Sequence, residues 1–132
     1  MSLKEDLENT IEILNKLREE EGVIIVEGQK DIESLVNLGI KNKIIAVSQL
    51  NIFDVIDSIT DKEIIVLTDF DKKGTELFKR YVKESQSSGK KVITIYYRDL
   101  KKYLKKYITQ IEQIYPFLKR RDLIEDNEDF IW

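Results

Sequence analysis

The sequence predicts an α/β fold in which about four parallel strands form a sheet between helices. Short apolar runs alternate with amphipathic stretches of helical period over about residues 22–96. Strict alternation of strand and helix favours a parallel sheet with right-handed crossovers. At 132 residues the chain can bury a core of its own. We therefore expect a single domain over residues 1–132, with helical segments flanking the central part at both ends.

Residues 1–21 are predicted to form an N-terminal helix that covers the core. Ser2 is placed to cap the start of this helix, and Gly22 is placed to end it. The outer face is mostly acidic, and we expect no chemistry there. The apolar residues at helical spacing are Leu3, Leu7, Ile11, Leu14 and Leu17.

Four apolar runs predict the strands, at residues 23–26, 44–47, 64–67 and 92–95. Runs of this kind are typical of parallel strands that are buried on both faces. Between them, crossover helices are predicted at about residues 30–38, 51–59 and 72–85, followed by a Ser/Gly-rich loop at 85–89. The side chains predicted to face inward from these helices are Ile32, Leu35, Val36, Ile52, Phe53, Ile56, Ile59, Leu77, Phe78, Tyr81 and Val82.

The remainder, residues 97–132, is predicted to be a C-terminal helical segment and tail. One or two helices are expected over residues 98–114, and Pro116 is expected to break the last one. Tyr96 and Tyr97, at the end of the fourth strand, either stack nucleic-acid bases or belong to the core. The tail ends in Phe130-Ile131-Trp132, which predicts an aromatic plug on this domain or on a homodimer mate, or a peptide for a partner protein.

Acidic residues follow two of the predicted strands. Glu27 follows the first strand, and Asp69 and Asp71 follow the third. If these strands are neighbours, the three carboxylates meet at the carboxyl edge of the sheet, where open parallel sheets bind ligands. Clustered carboxylates repel one another unless a cation joins them, and their oxygens suit Mg²⁺ or Mn²⁺. The alternative is a plain turn, because Asp is common where a strand passes into a helix.

Taken together, these residues form a pattern that resembles the Toprim domains of topoisomerases, bacterial-type primases, OLD-type nucleases and ribonuclease M5. The residues that carry the match are Glu27-Gly28…Asp31 and Asp69-Phe70-Asp71…Gly74. The chain looks most like the small stand-alone Toprim proteins related to the ribonuclease M5 domain. The resemblance spans about residues 22–96 and implies a Rossmann-like Toprim fold. It also implies that Glu27 is the catalytic acid/base and a metal-facing acid, with Asp69 and Asp71 as Mg²⁺ ligands.

Three further residues of the pattern are expected to support the site through the backbone or from behind the ligands. Asp31 either caps the first turn of the helix after Glu27 or links to the metal site. Gly28 either lets the backbone approach a ligand or permits a tight turn. Gly74 completes the D-x-D-x-x-G motif. The loop at 47–51 departs from the Gly-rich pattern of many relatives, which leaves its contribution to the site open.

The net charge of −3 hides an uneven distribution. Residues 72–106 hold 12 Lys/Arg against 3 Asp/Glu, and this basic segment begins directly after the D-x-D. A basic field beside an acidic metal site suits a phosphate backbone, although a solvated lysine-rich helix face has the same composition. We expect RNA or DNA as the partner. The residues predicted to contact it are Lys72, Lys73, Arg98, Lys101, Lys102, Lys105 and Lys106.

Several classes of protein are disfavoured. The chain has no Cys and no His, so metal chemistry must use carboxylates. It has no signal peptide and no apolar run long enough for a bilayer, so we expect a cytoplasmic protein without a membrane partner. There is no P-loop and no G-x-G-x-x-G. Receiver domains and haloacid-dehalogenase-like phosphatases place their paired acids after the first strand, and here they follow the third.

Two functions are consistent with these features. The first is a Mg²⁺-dependent Toprim protein that acts on nucleic-acid phosphodiesters, as a nuclease on RNA or DNA. The second is a non-catalytic, metal-dependent module that binds nucleic acid or a nucleotide within a larger complex, which the small size of the chain favours. Turnover of labelled RNA and DNA with Mg²⁺ or Mn²⁺ separates the two.

Overall fold

The structure is a computed structural model and describes residues 1–123. The strands are β1 (Val23–Val26), β2 (Ile44–Ala46), β3 (Glu63–Val66) and β4 (Lys91–Ile93). The helices are α1 (Leu3–Glu19), α2 (Gln29–Asn37), α3 (Ile52–Ser58), α4 (Lys72–Ser87), α5 (Ile95–Leu104) and α6 (Ile114–Lys119), with a 3₁₀ turn at Ile111–Gln113 before α6. Within residues 1–123, no helix is both long enough and apolar enough to cross a membrane.

The four strands form one all-parallel sheet in the order β2-β1-β3-β4. Ile24 of β1 pairs with Ile44 of β2 on one side and with Ile65 of β3 on the other. The chain therefore places β2 on one side of β1, then crosses back and places β3 and β4 on the other side. The winding reverses between β1 and β3. The predicted α/β fold, Rossmann-like and with a four-stranded parallel sheet between helices, is confirmed.

Each face of the sheet is covered by its own apolar layer. Val23 and Ile25 of β1 pack with residues of α3 and α4, whereas Ile24 and Val26 pack with residues of α1, α2, α5 and α6. All four of these side chains are fully buried. This arrangement explains why β1 is an unbroken apolar run, since a strand covered on both faces has no solvent side.

Several boundaries differ from the prediction. Helix α4 continues through Ser87, so part of the expected loop at 85–89 is helical, and Ser85 is buried. Helix α5 begins at Ile95, because β4 is only three residues long. Tyr96 and Tyr97 therefore lie in α5 and are buried, so the interpretation that they stack bases is wrong and the core interpretation is confirmed.

The predictions for Pro116, Val36 and Phe53 are wrong for identifiable reasons, and the prediction for the tail is not tested. Pro116 lies in the first turn of α6, where its missing N–H has no intrahelical partner to lose, so it does not break the helix. Val36 and Phe53, predicted to face inward, are 48% and 52% exposed because helical spacing alone does not set the width of the buried face. The predicted role of Phe130-Ile131-Trp132 concerns residues outside the described part of the chain.

A buried carboxylate joins the N-terminal helix to α5 and the turn that follows it. Ser2 caps α1 as predicted, and one turn later Asp6 is almost fully buried. Its Oδ2 lies 2.8 Å from Nζ of Lys106 and also accepts a hydrogen bond from the hydroxyl of Tyr107. The ammonium of Lys106, and after it the hydroxyl of Tyr107, hold the pKa of Asp6 below its usual value of 3.8.

We expect Asp6→Asn to destabilise the protein at pH 7, because it removes the charge that Lys106 pairs with. A lowered pKa in the folded state contributes stability above the unfolded pKa, and this stability is lost as pH falls through the folded value. The difference between wild type and variant should therefore shrink below about pH 3.8. Urea unfolding across pH measures it.

The matched control is Glu12→Gln. It breaks the exposed ion pair with Lys16 on the same helix, where the effect should stay within about 0.5 kcal/mol. Equal effects of the two changes at pH 7 would contradict the importance of the buried pair.

Candidate functional site

Glu27 and Asp69 meet where the winding of the sheet reverses. The main-chain N–H of Asp69 donates to Oε2 of Glu27 over 2.8 Å. The carbonyl oxygen of Glu27 accepts from the N–H of Ser48 over 2.9 Å, on the β2 side. The side chain of Glu27 thus contacts the end of β3, and its main chain contacts the loop after β2. The expected adjacency of the two acidic strand ends is present.

The chain beyond α5 closes over the D-x-D segment. The N–H of Ile111 donates to Oδ1 of Asp69 over 2.9 Å, and the N–H of Phe70 donates to the carbonyl oxygen of Thr109 over 2.7 Å. The hydroxyl of Tyr97 donates to the carbonyl oxygen of Asp69 over 2.7 Å. Sequence reasoning missed these three contacts. Only Tyr97 offered a signal, as a polar aromatic residue after a buried strand, because the other two partners are main-chain groups.

Asp71 and Gly74 shape the entry into α4. Asp71 is the N-cap of the helix, and its Oδ1 accepts from the N–H of Gly74 over 2.7 Å. The carbonyl oxygen of Gly74 accepts from the hydroxyl of Thr68, which is fully buried. A Cβ at Gly74 would overlap the carbonyl oxygen of Asp69. The glycine of the D-x-D-x-x-G motif is therefore required because α4 begins in direct contact with the backbone of Asp69.

Asp31 has the capping role and Gly28 does not form a tight turn. Oδ2 of Asp31 accepts from the N–H of Gly28 over 2.9 Å at the start of α2. Gly28 has φ −139° and ψ 174°, an extended conformation that any residue adopts, so the tight-turn interpretation is wrong. A Cβ there would meet only Oδ2 of Asp31, at 3.9 Å. The backbone at Gly28 is consequently open to close approach.

The edge carries negative charge that is not paired with a basic side chain from residues 1–123. Burial, and then the nearby carboxylates of Asp31, Glu27 and Asp71, raise the pKa of Asp69 to about 7, although the N–H of Ile111 works in the opposite direction. Burial also raises the pKa of Asp31. Among residues 1–123, no Lys or Arg forms a salt bridge with these acids. An added cation at this edge would relieve the repulsion.

The donor chemistry suits Mg²⁺ or Mn²⁺, but the side chains do not converge on one point. In the part of the chain that the structure describes, no three acidic side chains are grouped closely enough to hold one metal ion. The reason is that Glu27, Asp69 and Asp71 each direct an oxygen to a main-chain N–H. Asp71 is exposed and the other two are half-buried, so side-chain rotation could redirect their oxygens. Glu27, Asp69 and Asp71 thus lie at the same edge of the sheet, as expected, but their side chains are not arranged to bind one metal ion.

The predicted basic residues divide into distinct environments. Lys72 and Lys73 are exposed in the first turn of α4, directly after Asp71. Nζ of Lys101 donates to Oγ1 of Thr75 over 2.7 Å, which brings α5 against the same turn. Lys106 is held in the ion pair with Asp6. Arg98, Lys102 and Lys105 are exposed.

One basic residue outside the predicted set belongs beside this group. Burial, and then Lys105 and Lys79, lower the pKa of Lys101. Lys79 of α4 is therefore close enough to Lys101 to repel it. Lys79 lies one turn after Thr75 on α4, and the sequence offered no signal that Lys101 of α5 would lie against this face.

Carboxylates at the reversal point of a four-stranded parallel sheet define a Rossmann-like α/β protein with a candidate ligand site at the carboxyl edge. UPF0292 protein TK1411 of Thermococcus kodakarensis is 36% identical over 123 residues, 92% of each chain. UPF0292 protein PH1700 of Pyrococcus horikoshii is 43% identical over 113 residues, 84% of this chain and 85% of that protein. The chain belongs to the UPF0292 family.

Other comparisons agree with the fold. UPF0292 protein MJ1624 of Methanocaldococcus jannaschii is 33% identical over 126 residues, 92% of this chain and 98% of that one. A solved structure of a protein from Aquifex aeolicus has a TM-score of 0.65 at 29% identity, over 77% of this chain and 94% of that one. No protein-family model matches the chain.

Substitution by alanine should be costly at Gly74 and nearly neutral at Gly28. Gly74→Ala should destabilise the fold by about 1–3 kcal/mol, because its Cβ overlaps the backbone of Asp69. Gly28→Ala should change stability by less than about 1 kcal/mol, because the gain from a less flexible unfolded chain is opposed by the poor fit of alanine at the N-cap of α2. Chemical denaturation of both variants measures this. A Gly74→Ala protein as stable as wild type would show that α4 can begin without the close contact.

Proposed function

We propose that this protein is a Mg²⁺- or Mn²⁺-dependent Toprim protein that cleaves nucleic-acid phosphodiesters. The observation that carries the proposal is the hydrogen bond between the N–H of Asp69 and Oε2 of Glu27, across neighbouring strands at the reversal point of the sheet. It pairs the acid after β1 with the D-x-D after β3, as the Toprim resemblance implies.

The proposed roles follow from the environment of each acid. Asp69 and Asp71 would hold the metal ion, and Asp69 gains most from a cation because burial and its neighbours raise its pKa to about 7. When bound, the ion would polarise a phosphoryl oxygen and orient the attacking water. Glu27 would move the proton, since its carboxylate is held at the edge by the N–H of Asp69. The open backbone at Gly28 would let the substrate approach closely.

The basic residues beside the acids support nucleic acid as the substrate class. Lys72 and Lys73 follow Asp71 directly, and Lys101 contacts the same turn through Thr75. Positive charge next to an acidic metal site is the arrangement that a polyanionic backbone requires, since phosphates would otherwise be repelled. The lysines would position the backbone, and the acids would act on it.

A second candidate is a non-catalytic module that binds nucleic acid or a nucleotide with metal inside a larger complex. It is favoured by one observation: the three carboxylates direct oxygens to main-chain N–H groups, and no three acids in residues 1–123 form a ready ligand set. In that case metal would bind weakly and turnover would be absent. Incubation of the protein with labelled RNA and DNA in Mn²⁺ separates cleavage from binding.

The metal prediction concerns thermal stability. Mn²⁺ should raise the melting temperature of wild type by mass action, equivalent to about 2.7 kcal/mol at one hundred times the dissociation constant. Asp69→Asn and Asp71→Asn should abolish this response and any cleavage. Glu27→Gln should abolish cleavage and weaken metal binding less. Calorimetric scans measure the melting temperature, and gel assays measure cleavage. If Glu27→Gln loses metal binding as completely as the Asp variants do, the main role of Glu27 is that of a metal ligand.

A pH control distinguishes lost metal binding from a damaged fold. With chelator present, Asp69→Asn should be more stable than wild type at pH 8, because a carboxyl with a pKa near 7 is charged there at a cost. For a raised carboxyl pKa this cost grows as pH rises from 3.8 to about 7, so the advantage of the variant should vanish near pH 4. Asp54→Asn, an exposed acid on α3, serves as the matched control. If millimolar Mn²⁺ does not raise the melting temperature of wild type, the proposed metal chemistry is wrong.

The nucleic-acid prediction concerns salt. If Lys72, Lys73 and Lys101 contact phosphates, the triple alanine variant should reduce the slope of log affinity against log salt by about 0.7–0.9 per lysine. The triple variant should lose a similar amount of affinity for every oligonucleotide sequence, because phosphate contacts do not depend on the bases. A control variant that replaces the exposed Lys4, Lys41 and Lys43 should keep the wild-type slope. An unchanged slope in the first variant would mean that these lysines form only a solvated face.

A further inference from the structure

The loop after β2 belongs to the longest stretch of the sequence without a charged residue. Residues 44–53 read Ile-Ile-Ala-Val-Ser-Gln-Leu-Asn-Ile-Phe, in a chain that is 36% charged. Part of this stretch is strand β2, whose lack of charge follows from its place in the sheet. The second half, residues 48–53, is mostly exposed, so burial does not explain its composition.

This uncharged segment lies at the candidate site. The N–H of Ser48 donates to the carbonyl oxygen of Glu27 over 2.9 Å, which fixes the start of the loop beside the catalytic acid. In the sheet order, β2 and β4 lie on opposite sides of the central pair β1 and β3. The carboxyl edge is therefore acidic at its centre, basic towards α4 and α5, and uncharged along the loop from Ser48 to Asn51, before Asp54 of α3.

Two large apolar side chains stand on the uncharged side. Leu50 is 55% exposed and Phe53 is 52% exposed, whereas Ile52 between them is buried. Oδ1 of Asn51 accepts from the N–H groups of Phe53 and Asp54, so the main chain below Phe53 is held by the helix cap. Phe53 is thus an aromatic ring on a fixed backbone, with half of its surface in solvent.

The backbone of the loop breaks a local rule. Gln49 has φ +71°, in the left-handed region that ordinarily favours glycine, within a turn closed by the N–H of Leu50 and the carbonyl oxygen of Val47. A non-glycine residue held there costs on the order of 1 kcal/mol. A glycine would avoid the cost but would remove the amide side chain, which is exposed at this position. The exposed amide of Gln49 offers a neutral hydrogen-bonding group at this rim.

We infer that Phe53 and Leu50, with the polar side chains of Ser48 and Gln49, bind an unpaired nucleobase of the substrate. This inference rests on the proposed function and narrows its substrate to a strand that is single-stranded at the site. A nucleobase offers a flat apolar face for stacking and neutral edges that amides and hydroxyls recognise. Phosphates would occupy the basic side, and the base of a neighbouring nucleotide the uncharged side.

A protein partner fits this surface less well. Specific protein interfaces bury roughly 1,000 Å² or more in total and have several apolar anchors. Here two apolar side chains are surrounded by Ser48, Gln49 and Asn51, and the patch adjoins acids that a nuclease substrate must reach.

The test measures equilibrium binding of labelled single-stranded RNA and DNA of about 12 nucleotides to the full protein, with Ca²⁺ in place of Mn²⁺ to prevent turnover. Phe53→Ala should weaken binding about 5- to 100-fold, as expected for loss of one stacked base, and Phe53→Tyr should restore it. A strand with the same phosphates and abasic sugars should bind wild type at least as weakly as the ordinary strand binds Phe53→Ala, because it also loses the contacts of Leu50, Ser48 and Gln49. Val36→Ala, at another exposed apolar residue on α2, should change nothing.

The outcomes separate this inference from the proposed function. If wild type binds ordinary strands but binds abasic strands equally well, or if Phe53→Ala binds as wild type does, the base site is wrong and the nuclease proposal is unaffected. If Phe53→Ala changes the oligomeric state in sedimentation and leaves base-dependent binding intact, the patch is a contact between copies, and the base site is likewise wrong. If wild type binds no nucleic acid at all, the proposed function fails and this inference fails with it.

Discussion

The parallel pairing of β1 with β3 is the constraint on which the site depends. The N–H of Leu67 donates to the carbonyl oxygen of Ile25 over 2.8 Å, as a regular rung of the ladder. At the next rung the N–H of Asp69 meets the side chain of Glu27, because the carbonyl oxygen of Glu27 already accepts from Ser48 on the other side. A side chain therefore extends the sheet by one hydrogen bond, and this fixes the spacing between the two acidic strand ends.

Three kinds of surface surround that junction, and each follows from a different part of the chain. The acids come from the ends of the two central strands, the lysines from α4 and α5, and the uncharged rim from the loop after β2. Charges of both signs are ordinarily interspersed on a protein surface, so separate neutral, positive and negative regions around one site are unusual. The arrangement suits an elongated ligand whose chemical character changes along its length, and nucleic acid is such a ligand.

Short-range patterns were enough to predict the sheet and the acidic edge. Buried parallel strands must be apolar throughout, so β1 and β3 were visible as runs, and Glu27 and Asp69 follow them directly. The segment at 109–111 was not predictable, because its main-chain groups bind the D-x-D across a large separation and carry no side-chain signature. The exposure of Phe53 was also missed, because periodicity identifies the apolar face of a helix but does not show how much of that face other elements bury.

The ion pair between Asp6 and Lys106 has a consequence for biosynthesis. Helix α1 packs mainly against α5, and the buried Asp6 has its partners at Lys106 and Tyr107, near the other end of the chain. Asp6 is synthesised about a hundred residues before Lys106 and Tyr107, so its carboxylate has neither partner until that later segment has been made. Until then α1 can share its apolar layer with Ile24 and Val26 of β1, but it lacks α5, the helix against which it mainly packs.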